Sequence, residues 1–295
     1  MMRMSPRRRG EMDEQYHVVH KLPSGDSPYV RAKHAQLIDK DPELAIILFW
    51  EAIDGGDRVD SALKDMAVVM KQQDRAEEAI EAIKTYRDRC SSQAQESLDN
   101  VLIDLYKKCG RMEEQIELLK QKLRMIYQGE AFNGRPTKTA RSHGRKFQVT
   151  VKQETSRILG NLGWAYMQQT NYEAAEIVYR KAQLMDPHAS KACNLGLCLI
   201  KQGKYLEAQH VLLDVVRCNL PGSGDLRSRN RAEELLSEIE PGRTSEPSSL
   251  PSYGVSLEDA FVEGLDKLVS HLAPNRSKRL PIFEEIFPLR DQLAC

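Results

Sequence analysis

Residues 156–189 read SRILGNLGWAYMQQTNYEAAEIVYRKAQLMDPHA, and the spacing inside this stretch decides the fold. Leu159, Leu162, Gly163 and Tyr166 fall on one face of a first helix. Thr170-Asn171 makes a turn. Ala175, Tyr179 and Ala182 line a second helix at spacings of four and three, and Asp186-Pro187 ends it. Two antiparallel helices pack closely only where small residues sit at the crossing. Gly163 and Ala175 supply those gaps, and larger residues fill around them.

The unit repeats. About 33 residues later Leu195-Gly196 stands where Leu162-Gly163 stood, Ala208 follows Ala175, Leu212 follows Tyr179, and Gly203-Lys204-Tyr205 makes the turn. A period of this length with small residues at fixed crossings resembles the tetratricopeptide (TPR) consensus, with Leu159 in place of the usual tryptophan. Weaker copies lie upstream. Leu102, Tyr106, Gly110 and Leu119 mark one, with Gln115 in place of the small alanine. Met66, Met70, Ala79 and Ile83 mark another. Ala45, Phe49 and Ala52 mark the second helix of the earliest, opened by Asp41-Pro42 and preceded by a helix over about residues 28–38. The expectation is an all-α, TPR-type α-solenoid of about five helix pairs, with a basic inserted loop and a C-terminal helix.

The period breaks once. Tyr106 and Tyr166 lie farther apart than one repeat allows, so residues 129–153 form an insert. It carries Arg135, Lys138, Arg141, Arg145, Lys146 and Lys152 against one acid, Glu130. Insertions in repeat proteins become loops on one face, often the binding face. The organisation then reads as a disordered basic tail over 1–26, three degenerate units over 27–128, the insert over 129–153, and two near-consensus units over 154–219. A capping helix over 225–240 follows. A Pro-, Ser- and Gly-rich linker spans 241–256, and residues 257–295 hold an amphipathic helix and the segment LPIFEEI. Leu257, Phe261, Leu265, Leu268 and Leu272 form the stripe of that last helix.

Bulk composition narrows the function. Across 295 residues, 43 Lys plus Arg balance 43 Asp plus Glu, which argues against a dedicated nucleic-acid coat. The six cysteines form no C-x-x-C pair, so reduced thiols in a nuclear or cytosolic compartment and no metal site are expected. The start MMRMSPRRRG lacks the apolar stretch of a signal peptide, and no run approaches the roughly 20 apolar residues of a membrane span. Arg7-Arg8-Arg9 reads equally as a nuclear import signal or a charged tail. No phosphate loop, H-E-x-x-H or G-x-S-x-G is present, so neither catalysis nor a cofactor is expected.

A stack of helix pairs offers instead a groove lined by first helices, in which a protein or peptide partner lies. The groove-facing residues are Arg157, Asn161, Trp164 and Gln168 in one near-consensus unit, and Lys191, Asn194 and Leu197 in the next. An amide at Asn161 or Asn194 can bond a peptide backbone of any sequence, and Trp164 can anchor a ligand. Equally, these residues can be solvated or bond between repeats. The insert's cations suit an acidic partner or nucleic acid, although only Phe132 and Phe147 supply aromatic interleaving.

The stretches AFNGRPTKTARSHGRKFQVTVKQET, ILGNLGWAYMQQTNYEAAEIVYRKAQLMDP and KACNLGLCLIKQGKY, with the ending LPIFEEIFPLRDQLAC, together resemble the plant TPR family of the sulfur-deficiency-induced and pollenless (male-sterile) proteins. The likeness runs from about residue 27 to 295. The short linker before LPIFEEI resembles the sulfur-deficiency-induced branch more closely. The resemblance implies a non-catalytic nuclear regulator of the response to sulfur deficiency, acting on a regulatory protein such as a transcriptional regulator. Its other branch implies control of meiosis or cell division in male fertility. Nucleic-acid contact through the insert and self-association through the terminal helix are further alternatives.

Overall fold

The computed structural model describes residues 22–142, 145–239 and 259–272. The N-terminal tail with Arg7-Arg8-Arg9, the linker, Leu257 and the LPIFEEI segment lie outside them. The chain is an all-α TPR-type repeat fold and forms two compact units, one ending at Leu98 and one beginning at Asp99.

The first unit holds α1 (Pro28–His34), a π-helical turn (Ala35–Asp39), α2 (Pro42–Asp54), α3 (Val59–Gln72), α4 (Ala76–Tyr86) and the start of α5 (Ser92–Cys109). Lys40, in the left-handed conformation at φ 53°, stops the first helix. Asp41 starts the next: its carboxylate accepts the Leu44 N–H at 3.0 Å, and Pro42 takes the first helical position, where no N–H is needed. Phe49, Met66, Met70 and Ile80 are fully buried, and the Tyr29 and Phe49 rings lie 6.1 Å apart.

The second unit continues α5 and adds α6 (Met112–Tyr127), α7 (Val151–Gln168), α8 (Tyr172–Met185), α9 (Ala189–Lys201), α10 (Tyr205–Val216), α11 (Leu226–Ser237) and α12 (Asp259–Leu272). Each turn uses the residue that can turn there. Asn171 accepts the Ala174 N–H at 3.1 Å, and Gly203 takes φ 75°. Gly163 and Gly196 are required by volume. A Cβ on Gly163 would lie 2.8–2.9 Å from the Tyr179 ring, and one on Gly196 would lie 2.7 Å from Leu212. The large residue of each second helix therefore fills the space that the glycine of the first leaves open.

Three features depart from the sequence reading. The insert expected as a loop is instead an antiparallel hairpin, β1 (Thr137–Ser142) with β2 (Arg145–Thr150), and residues 151–153 already belong to α7. Alternating β-branched and aromatic residues (Thr137, Thr139, Phe147, Val149) carry the strands, and the density of cations obscures that alternation. Gln115, the odd residue at the α5–α6 crossing, is 1% exposed. Its amide donates to the Ile103 carbonyl at 3.3 Å, while its own oxygen finds no partner among the described residues. Finally, α12 joins the repeat core, with Leu265, Leu268 and Val269 buried in the cluster that contains Leu119, Leu123 and Val178.

The glycine geometry gives opposite outcomes at two neighbouring positions. Gly163→Ala forces a methyl into the Tyr179 ring and costs about 2 kcal/mol, a fall in Tm of roughly 5 °C. Gly160→Ala meets only the Lys191 stem, at 3.7 Å, and gains helix propensity of about 1 kcal/mol, so Tm rises by a few degrees. Thermal unfolding of both variants checks the pair; a rise for Gly163→Ala would contradict the volume argument.

Candidate functional site

The recess between first helices in the second unit draws from three of them. From α5 comes Lys107; from α7 come Arg157, Asn161 and Trp164; from α9 come Lys191 and Asn194. Its volume is about 340 Å³. Five of the seven groove residues named from the sequence thus meet in one place; Leu197 instead packs against the core cluster of Ala189, Ala192 and Leu212. Gln168 does not join them either: it is exposed on the last turn of α7, beyond the recess.

Most of the gathered side chains already have protein partners. The Lys191 ammonium donates to the Ser156 hydroxyl at 2.5 Å and the Asp186 carbonyl at 2.6 Å, with the Asp186 carboxylate 3.6 Å away. Burial lowers its pKa, and the nearby Asp186 opposes that shift. Asn194 donates to the Tyr179 hydroxyl at 3.0 Å, which ties α9 to the preceding pair. Burial drives the Tyr179 phenol upward, so that hydroxyl stays protonated.

Asn161 occupies the place of Asn194 one repeat earlier and makes no hydrogen bond to a described residue. The counterpart of Tyr179 in its preceding repeat is Leu119, which has no hydroxyl. Trp164 is half-buried against the core, with the Lys107 ammonium 4.0 Å from its ring centroid. At that distance a cation gains about 0.5–2 kcal/mol from the ring face. Lys107 is exposed and forms no ion pair with a described residue.

The sequence reading missed Glu154. This carboxylate is 5% exposed on the first turn of α7 and receives two cations. Arg157 grips it in a fork at 2.8 and 2.9 Å, and Lys138, from β1 of the insert, reaches it at 3.1 Å. Arg157 also donates to Asn100 of α5 at 2.9 Å. Burial alone would raise the Glu154 pKa, but the bonds and charges of Arg157 and Lys138 outweigh it and hold the carboxyl at about 2. The fork at i, i+3 was the available sequence signal; nothing in the spacing pointed to Lys138. The hairpin is thereby fastened to the groove wall, with a capping box between Thr150 and Gln153 fixing the turn into α7. Of the other insert cations, Arg135 and Lys146 are exposed, while Arg141 and Arg145 have their backbones in β1 and β2.

Cys193 and Cys198 are buried, and burial raises both thiols, Cys198 to about 12. They are packed, unreactive side chains. No group of three His, Cys, Asp or Glu suited to a metal ion occurs among the described residues. None of the described helices is long and apolar enough to cross a membrane.

Helix pairs with glycine crossings and a polar recess along their first helices define a TPR repeat protein, and the tetratricopeptide repeat family model matches residues 156–188. The chain is 67% identical to Protein SULFUR DEFICIENCY-INDUCED 2 of Arabidopsis thaliana, across 100% of both chains. It is 60% identical to Protein POLLENLESS 3-LIKE 2 of the same plant, across 77% of this chain and 54% of that one. A thermophilic TPR protein of Thermus thermophilus superposes with a TM-score of 0.39 and 18% identity, covering 71% of this chain and 97% of that one. The chain belongs to the plant TPR family of the sulfur-deficiency-induced and pollenless proteins, closer to the sulfur-deficiency-induced branch.

Glu154 predicts a pH signature. Its folded pKa lies below the ordinary value of 4.5, so its contribution is present above that pH and lost as pH falls toward about 2. The full shift corresponds to about 3 kcal/mol. Glu154→Gln lacks this contribution. Urea unfolding at stepped pH should therefore show a gap between wild type and variant at pH 7 that closes between pH 5 and 2. A gap that does not change with pH would contradict this account.

Proposed function

We propose that this chain is a non-catalytic, protein-binding scaffold acting in the nucleus in the response to sulfur deficiency, and that the recess of α5, α7 and α9 is its partner site. The observation that carries the reading is the state of the recess residues. Asn161 has an uncommitted amide, Trp164 presents an aromatic surface on a rigid helix, and Lys107 adds a cation with no counter-charge among the described residues. An amide that can bond a peptide backbone, beside an aromatic anchor, suits an extended segment of another protein. The name of the 67%-identical relative supports the sulfur-deficiency context. The partner this reading favours is a segment of a transcriptional regulator. The pollenless relatives support a second context, male fertility, more weakly, because the chain spans about half of their length.

Affinity capture from sulfate-starved plant tissue, comparing wild type with the Asn161→Ala/Trp164→Ala double variant, tests the site. These positions are chosen because Arg157 and Lys191 also hold the fold together. Partner recovery should fall at least tenfold with the circular dichroism spectrum unchanged, since lost hot-spot anchors cost about 2 kcal/mol or more. Equal recovery by the folded variant would remove the recess from the function.

A further inference from the structure

The hairpin carries a free edge whose polarity can be worked out residue by residue. The Val151 N–H donates to the Pro136 carbonyl at 3.3 Å, one step beyond the Thr137–Thr150 pair. In an antiparallel ladder, hydrogen-bonded and non-hydrogen-bonded pairs alternate. The bonded pairs are therefore Lys138–Val149, Ala140–Phe147 and Ser142–Arg145. The intervening residues of β1, Thr137, Thr139 and Arg141, point their N–H and C=O groups away from β2. No described residue bonds these groups. On the opposite edge the Thr150 N–H is already taken by Gln153, at 3.0 Å. Lys146 and Gln148 also point outward on β2, so β1 is the edge on which all three outward positions are open.

Two further features describe what would fit there. A two-stranded ribbon is marginal in water, and a third strand completes it. Ala140 lies beside Phe147 on one face, and Phe147 is 47% exposed. A large side chain on an added strand could pack over the small Ala140 against that ring. Between residues 131 and 150 there are five Lys or Arg side chains and no Asp or Glu. A second copy of the hairpin would bring like charges together and is disfavoured. An acidic strand is complementary.

We propose that β1 is a strand-addition site, separate from the helical recess, which takes an extended acidic segment of a partner protein with apolar residues at alternate positions. Backbone bonds to Thr137, Thr139 and Arg141 supply affinity. The basic insert supplies charge selection, and Phe147 supplies an apolar contact. The chemistry is that of β-augmentation on an exposed edge.

The test uses the full chain and a fluorescent ten-residue peptide of alternating glutamate and valine, followed by anisotropy at low salt. Binding should be saturable and weakened at least tenfold by Thr139→Pro, which removes one outward N–H and leaves the ladder bonds intact. Two N-methylated probes leave the protein untouched. Methylating every second residue in one phase should abolish binding, and in the other phase should leave it within twofold of the parent. Asn161→Ala/Trp164→Ala should bind the probe like wild type, which separates this site from the recess. No saturable peptide binding, or equal binding of both methylated probes, would overturn the proposal. So would tighter binding of a single-stranded oligonucleotide that is insensitive to Thr139→Pro, which would point to phosphate contact instead.

Discussion

The ring of Tyr179 occupies the volume that a side chain at Gly163 would need, and Leu212 does the same at Gly196. The packing of the two near-consensus helix pairs depends on that exchange of volumes. It sets how closely α7 approaches α8 and α9 approaches α10. It also places the Tyr179 hydroxyl at the edge of the recess, where Asn194 bonds it. Core packing and the polar lining of the site are consequently not separable. One residue fills the helix crossing with its ring and sets the orientation of a groove amide with its hydroxyl.

How legible this was from the sequence depends on how local the cause was. Gly163, Ala175 and Tyr179 act within one repeat, so spacing alone exposes them, and the positions of Asn161 and Asn194 follow from the period. Glu154 acts between segments. Its partner Lys138 lies 16 residues earlier in a hairpin, and no periodicity links a strand residue to a helix start. The insert was recognised as an interruption, but its charge dominated its pattern. Thr137, Thr139, Phe147 and Val149 alternate as strand residues do, yet the cations among them suggest a solvated loop. Gln115 was visible as an exception, but its meaning, a buried amide with one satisfied end, needed coordinates.

Glu154 also changes what the insert is. A basic loop attached only at its ends would offer diffuse charge. Here one of its cations is committed to a buried carboxylate that Arg157 shares, so the hairpin has a defined seat on α7. The capping box at Thr150 sets the chain direction at the same point. Such a seat leaves the hairpin less conformational entropy than a loop tethered only at its ends.

The same reasoning limits what charge can do in the recess. Arg157 is neutralised by Glu154, and Lys191 is partly buried and held by Ser156 and Asp186. Neither can turn toward a ligand without breaking a contact between helices. Lys107 remains, and it lies over the Trp164 ring with no ion pair to a described residue. A ligand carboxylate reaching Lys107 would therefore meet the indole at the same spot. Asn161 is uncommitted because Leu119 stands where a hydroxyl-bearing residue would be needed one repeat earlier. The open groups of the recess thus arise from an irregularity between successive repeats: where the repeat is regular, Asn194 bonds Tyr179, and where it lapses, Asn161 has no bond to a described residue.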